Sequence, residues 1–399
     1  MRKILLATTA LVGFAVAGAA QAATSPLNVT IGGSVDAVAG QFHESKASIP
    51  ASENNLVRSS HDFETLYALN FGVTGKASGF EYGGNLTLDN APDISDGFSG
   101  SNGGISVTTA DIFLSGAFGK VQLGDARGAT DLALSTPTVG EGQVTGRYID
   151  FLDTASFAKN LVVGVDGTDH STNITYFTPK VGNDTNKVQA AVSFVPQFYN
   201  YGSSVVKYQG NNANNSTNGL SPYKDVLKGA VAYTGTFKPV TIGASAHIIT
   251  GSADTTVTNN QAWIANALAG KVRDFTAWGL DAQAAAEGFT LGVNYVDQGH
   301  YNTVGAQNKD QQQFGAGLKY EFSKVAVGVS YLGGEGYSNT LSVSGGNYVK
   351  EFNSYGAGGA YTWAPGLTTN LDGVLFDQKT EGNVKNDGYV LLVSQKLAF

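Results

Sequence analysis

The 399-residue chain contains no cysteine, so neither a disulfide framework nor a cysteine-ligated zinc site can hold it together. Proline is scarce, at 9 residues, and methionine occurs once. Charged residues make up only 14% of the chain, and none of them form a basic patch or block suited to nucleic acid. Beyond the N-terminus there is no apolar run of about 20 residues, which excludes helical membrane spans. The five histidines, His43, His61, His170, His247 and His300, are scattered, and no pair has metal-ligand spacing. No cofactor is implied.

Glycine, by contrast, is abundant at 52 residues, and aromatic residues reach 11%. Glycine costs roughly 1 kcal/mol against alanine inside a helix, so this composition argues for strands and turns. Mean hydropathy is -0.07, too low for a chain that is apolar throughout. The length allows one large domain or two ordinary ones.

The N-terminus reads as an export signal. Arg2 and Lys3 precede an apolar run from Ile4 to about Ala19, and Ala20-Gln21-Ala22 fits a small-x-small cleavage site. Residues 1–22 are therefore expected to be removed, leaving a single domain over 23–399. Without Arg2 and Lys3 the 24 basic residues become 22 against 32 acidic, a balance of -10.

From Ala23 onward, segments of about ten residues alternate apolar and polar. Phe314, Ala316, Leu318, Tyr320 and Phe322 share one parity, with Gln313, Gly315, Gly317, Lys319 and Glu321 on the other. Successive strand residues point to opposite faces, so each segment has one apolar and one polar face. Short connections at 75–79, 119–120, 179–186, 238–239, 287–288, 323–324 and 364–366 take turns with long polar ones near 44–60, 90–104, 128–171, 196–224, 251–272, 299–309, 335–349 and 379–387. Seven short turns and eight long loops predict an all-β, transmembrane antiparallel barrel of about 16 strands. Phe80, Phe118, Phe177, Phe237, Phe289, Phe322, Trp363 and Phe399 lie beside the short turns and are expected to form one interfacial girdle. The last segment, Tyr389 to Phe399, alternates to the end and closes on an aromatic residue.

Several stretches resemble the Gram-negative general porin family. Val29-Thr30-Ile31-Gly32-Gly33-Ser34-Val35-Asp36 is similar to the family's first strand, and the run from Leu114 to Gly124 to the hairpin before its constriction loop. Asn173 to Pro179 and the terminal strand are similar to the corresponding later strands. The resemblance implies an outer-membrane location and a homotrimer in a lipid bilayer with lipopolysaccharide. It also implies a third extracellular loop folded into the lumen, running here from about Gly128 to Ser171. Arg127, a wall candidate at the end of its strand, and the loop residues Asp131, Glu141, Arg147, Asp150 and Asp153 are then the constriction candidates. Arg58, Arg127, Arg147 and Arg273 are the only arginines after the signal segment, so the family's arginine cluster cannot be fully present.

Strand parity puts Asp36, Glu81, Asp111, Asp281, Glu321 and Asp372 on the lumen face, with the basic residues Lys228, Lys319 and Lys396. Thr30, Ser34, Asn70, Asn85, Thr87, Gln283, Asn294 and Gln313 are its neutral polar members. Acidic rings favour cations, so the expected function is passive diffusion of ions and small hydrophilic solutes with weak cation preference. Asp150 and Asp153 are weak candidates for a divalent cation. Most aromatic residues sit on the lipid parity, but an aromatic set in the long loop, Tyr148, Phe151 and Phe157, keeps open the alternative of a sugar-specific channel. A barrel hydrolase would need a base and nucleophile. Ser245 and His247 share a strand face, but nothing in the sequence marks a third partner, and no enzyme is expected.

Overall fold

The computed structural model describes residues 27–45, 60–90, 105–140, 146–152, 170–197, 223–253, 273–301, 303, 309, 311–337, 348–383 and 385–399. The signal segment, Arg58, Glu141, Asp153 and Phe157 lie outside them. Among the described residues the strands are β1 (Asn28–Glu44), β2 (His61–Ala77), β3 (Phe80–Asp89), β4 (Ser106–Gly116), β5 (Gly119–Asp125), β6 (Thr172–Phe177), β7 (Val181–Gly182), β8 (Asn186–Gln197), β9 (Tyr223–Phe237), β10 (Val240–Ala253), β11 (Phe275–Ala286), β12 (Phe289–Asp297), β13 (Gln312–Phe322), β14 (Val325–Tyr337), β15 (Tyr348–Ala364), β16 (Leu367–Thr380) and β17 (Lys385–Ala398).

Neighbouring strands in the chain are antiparallel neighbours in the sheet, and β1 pairs with both β2 and β17. The sheet therefore closes on itself. β6 and β7 both pair with β8 and are two halves of one strand, giving a 16-stranded barrel. The break falls at Pro179, which has no N–H to donate; Thr178 N still donates to Ala190 O at 2.9 Å, which keeps the halves in line. The turn beyond is shorter than 179–186: Asn183 Oδ1 accepts from Thr185 N (3.0 Å) and Asn186 N (2.8 Å). The turn expected at Gly119-Lys120 sits two residues earlier, because those residues already pair with β4 and β6.

Two of the tight hairpins show why X-Gly marks a short turn. Ser78-Gly79 and Glu287-Gly288 have both central residues at positive φ, at 47° and 90° and at 50° and 88°. A two-residue turn of that kind matches the right-handed strand twist. Closure is completed by the chain end: Phe399 N donates to Gly33 O (2.9 Å) and Gly33 N to Phe399 O (2.8 Å).

The outward face is apolar. Ile112, Leu114, Leu123, Leu291, Leu318, Leu371 and Leu391 are exposed there, and their strand neighbours point inward. Phe80, Phe118, Phe237, Phe289, Phe322, Trp363 and Phe399 are exposed at the short-turn end. Phe177 does not join them. It is 4% exposed and packs inward with Ala129, Ala191 and Ala230, with Lys120 Nζ 4.2 Å from its ring centroid. Nearness to a turn fixed its height in the barrel, whereas its parity with Asn173 and Thr175 fixed its face. Tyr176 is the outward aromatic of this strand, and its hydroxyl donates to Phe118 O at 2.7 Å. Gln395, a polar residue on the apolar parity, is satisfied on that face: it accepts from Thr369 Oγ1 (2.6 Å) and donates to Thr368 O (3.1 Å).

Candidate functional site

The longest connection leaves β5 at Ala126 and returns at β6. Its described parts, 126–140 and 146–152, lie against the inward faces of the strands. At its root Asn173 Nδ2 donates to Ala126 O at 2.5 Å, and Lys228 Nζ to Arg127 O at 2.9 Å. A short 3-10 turn, Gly128–Leu132, follows, with Ala129 N donating to Ser193 Oγ at 2.6 Å. The chain then passes one strand after another. Leu134 N donates to Ser245 Oγ on β10 (3.0 Å), Gln283 of β11 donates to Ser135 O, and Thr136 Oγ1 donates to Asn294 Oδ1 on β12 (3.0 Å). Inward glycines give the backbone room: Gly292 and Gly317 face Pro137, and Gly328 faces Val139. Gly140 then abuts the Asp372 carboxylate on β16.

A second 3-10 turn, Arg147–Phe151, seats an apolar wedge on the far wall. Tyr148, Ile149, Phe151 and Leu152 pack with Val38, Phe42, Leu66, Leu332, Val349, Phe352, Val374, Phe376, Val390 and Leu392. These are inward residues of β1, β2 and β14–β17. The rings of Phe42 and Phe151 lie 5.8 Å apart. Burial pushes the Tyr148 phenol up to about 12, only partly offset by the Ser354 hydroxyl. A second apolar cluster, including Tyr223, Phe275 and Tyr301, lines the inner face of β8–β12 near the long-loop end.

The candidates from the sequence separate accordingly. Asp36, Asp111, Lys228, Asp281 and Asp372 point inward but are buried; Lys228 is 1% exposed. Three of them are met by the inner loop, Lys228 at Arg127, Asp281 through Ser245 and Leu134, and Asp372 at Gly140, while Asp111 is met by the Asn85 amide. A buried ammonium requires hydrogen-bond partners, and the Arg127 carbonyl supplies one. Glu81 sits 3.7 Å from Lys76, and Glu321 sits 3.2 Å from Lys319. Lys396 faces Asp36 across the β1–β17 seam. Among the loop residues, Arg127 and Asp131 are exposed, while Arg147 lies 3.5 Å from Asp150. Asp150 thus already faces a cation within its own turn. Among the described residues no three His, Asp or Glu side chains group as metal ligands do.

Ser245 and His247 do have a third neighbour, which sequence spacing could not show. Asp281, across the β10–β11 pair, accepts from Ser245 Oγ at 2.6 Å and lies 3.3 Å from His247 Nδ1. The order is wrong for nucleophilic catalysis. The serine proton is directed to the carboxylate rather than to the imidazole, and His247 Nε2 is turned toward Gly279. Ser245 Oγ is also occupied as acceptor of the Leu134 amide. The trio fastens the loop.

A model of the Gram-negative porin family matches residues 7–381. Comparison with curated proteins finds no match. Among solved structures the chain is similar to the outer membrane channel DcaP of Acinetobacter baumannii, with a TM-score of 0.56 at 13% identity, covering 94% of this chain and 97% of that one. It is similar to OmpF of Salmonella typhi, solved in complex with daunomycin, with a TM-score of 0.56 at 14% identity, covering 94% and 98%. A loop L8 deletion mutant of OmpT, an outer membrane protein of Vibrio cholerae, gives 0.54 at 12% identity, covering 94% and 99%. At such identities the likeness shows the fold.

Proposed function

The chain belongs to the Gram-negative porin family, and on that premise we propose that it is a passive, weakly cation-preferring pore for ions and small hydrophilic solutes. It is an outer-membrane channel; the selectivity and the solutes are the proposal. One observation carries it: a closed 16-stranded barrel whose inner loop, over its described residues 126–140, is hydrogen-bonded to the wall strand by strand. A barrel of about this strand number is wide enough for an aqueous channel. The acidic excess supports cation preference, and two cations that would oppose it are engaged, Lys228 with the Arg127 carbonyl and Arg147 beside Asp150. Arg127, Asp131, Glu141, Arg147, Asp150 and Asp153 remain the proposed constriction set.

The same reading takes residues 1–22 as a cleaved export signal, the working form as a homotrimer in lipid and lipopolysaccharide, and the protein as no enzyme. N-terminal sequencing of the membrane-inserted protein and its native mass test the first two. The pore itself is tested in planar bilayers. Stepwise conductance with a reversal potential on the cation side of zero in a salt gradient is expected. A clear anion preference refutes the charge argument, and absence of current refutes the open pore.

A further inference from the structure

Inward side chains differ sharply in what covers them. On β8–β17 the middle of the wall is closed off: Ser193, Gln313, Ser354 and Ser394 are all buried. On β1–β3 the inward residues Thr30, Asn70 and Asn85 are exposed, and Thr87 is half-buried. They occupy two adjacent rows across the barrel. Thr30, Gly72, Asn85 and Asp111 face one another in one row; Gly32, Asn70, Thr87 and Thr109 do so in the next. Thr87 Oγ1 donates to Asn70 Oδ1 at 2.9 Å, and Asn85 Nδ2 donates to both Asp111 oxygens at 3.2 and 3.3 Å. Those bonds orient the two amides and leave the Asn70 Nδ2 donor and the Asn85 Oδ1 acceptor with hydrogen-bonding capacity to spare. No Lys or Arg stands in either row.

We propose that solutes cross the lumen along β1–β3, and that Thr30, Asn70, Asn85 and Thr87 form the surface they touch, one that admits neutral polyhydroxylated solutes and disfavours anions. This rests on the channel reading above and adds the route and the solute class. A hydroxyl both donates and accepts, so a sugar-like solute exchanges its water for the amide donor and the amide and hydroxyl acceptors with little net change in free energy. Passage needs such near-balance, since a solute held tightly does not leave. An anion reaching this strip gives up water against no cation and approaches the Asp111 carboxylate.

The absence of cysteine makes the route directly testable in the full-length protein in bilayers. Single variants Thr30→Cys, Asn70→Cys and Asn85→Cys should each lose current stepwise on adding trimethylammonium-ethyl methanethiosulfonate. Ser193→Cys, Ser354→Cys and Ser394→Cys should react at least about tenfold more slowly, the protection given by a local opening cost of about 1.4 kcal/mol. Equal rates for the two sets overturn the route. If a covered-wall variant fails to assemble, liposome swelling decides instead. The wild type should admit arabinose faster than arabinonate. Asn70→Lys with Asn85→Lys should lower that ratio about fivefold, since a unit charge about 4 Å from another in water is worth about 1 kcal/mol. An unchanged ratio overturns the proposal. Loss of all current in the unreacted protein would instead defeat the channel reading, so the two failures are distinct.

Discussion

Adding one methyl group to β1 should loosen the inner loop without disturbing the barrel. Gly40 faces inward between Val38 and Phe42, and the Phe151 ring lies directly over it. A Cβ built on Gly40 would stand 2.6 Å from Cδ1 and 2.8 Å from Cζ of Phe151. Carbon atoms prefer about 3.5–4.0 Å, so the overlap is about 1 Å. The ring has little room to withdraw, since Phe42, Leu152, Val390 and Leu392 pack in the same cluster. Overpacking of this kind costs about 1–3 kcal/mol. Strand pairing of β1 with β2 and β17 uses backbone groups that Gly40→Ala leaves in place, so the cost falls on loop docking. A change of about 1–3 kcal/mol shifts a docked-to-undocked ratio by about 5–150-fold. Native-state amide exchange reads that ratio at Ile149 and Leu152, whose N–H groups donate to Gly146 O (3.3 Å) and Ile149 O (3.2 Å) within the turn. Exchange there should accelerate by that factor in Gly40→Ala while far-ultraviolet dichroism stays unchanged. In a Phe151→Ala background, which removes the clashing ring, Gly40→Ala should add almost nothing, so the double-mutant cycle carries the whole coupling. Wild-type exchange in Gly40→Ala, or full additivity in the cycle, would refute the seating of Phe151 on β1.

Other perturbations act on the same loop. With the Tyr148 phenol pushed up to about 12 from an ordinary 10.0, the folded state holds that proton more tightly; the associated stability is complete below about pH 10 and lost as pH rises toward 12. Phenolate absorbance should therefore show a late-titrating component that is lost in Tyr148→Phe, and loop protection should fall over that window in the wild type alone. Ser245→Ala strips the Leu134 amide of its acceptor and the buried Asp281 carboxylate of a donor. It should cost about 1–3 kcal/mol of docking, seen as faster exchange at Leu134. Gly140→Ala places a methyl on the Asp372 carboxylate at a backbone φ of +85°, which favours glycine on both counts. It should raise current noise and substate occupancy more than Gly40→Ala does, and a quiet wild-type conductance would contradict the contact.

The barrel was legible because each strand solves the same problem with a period of two. Phe314 to Phe322 announce their faces without reference to any other strand, and X-Gly at 78–79 and 287–288 marks the hairpins by backbone chemistry alone. The course of the inner loop was not legible, since 128–140 has no periodicity and its partners come from β6, β8–β14 and β16. A signal was nonetheless present. Val390-Leu391-Leu392-Val393 and Val374-Leu375-Phe376 are apolar on both parities, which a wet inner wall does not require. Each marks a stretch covered on the inside as well as the outside, and there the Tyr148–Leu152 wedge is seated. Inward glycines on neighbouring strands, at 292, 317 and 328, were a second mark, of a wall approached by backbone.

Charge read by parity alone overstates what a permeating ion meets. Asp36, Asp281 and Asp372 share the lumen parity, yet each is buried, and the inner loop reaches Asp281 through Ser245 and Asp372 at Gly140. The exposed β1–β3 strip carries amides and hydroxyls, with Asp111 behind Asn85. A carboxylate behind a hydrogen-bonded amide acts on a passing ion through its field rather than by contact, and that field is screened within about 10 Å at 0.1 M salt. The acidic excess and the neutral strip are therefore compatible. The first biases which ions enter the mouth, and the second leaves the passage itself undemanding, so the cation preference of such a channel stays weak however many carboxylates its inner parity carries.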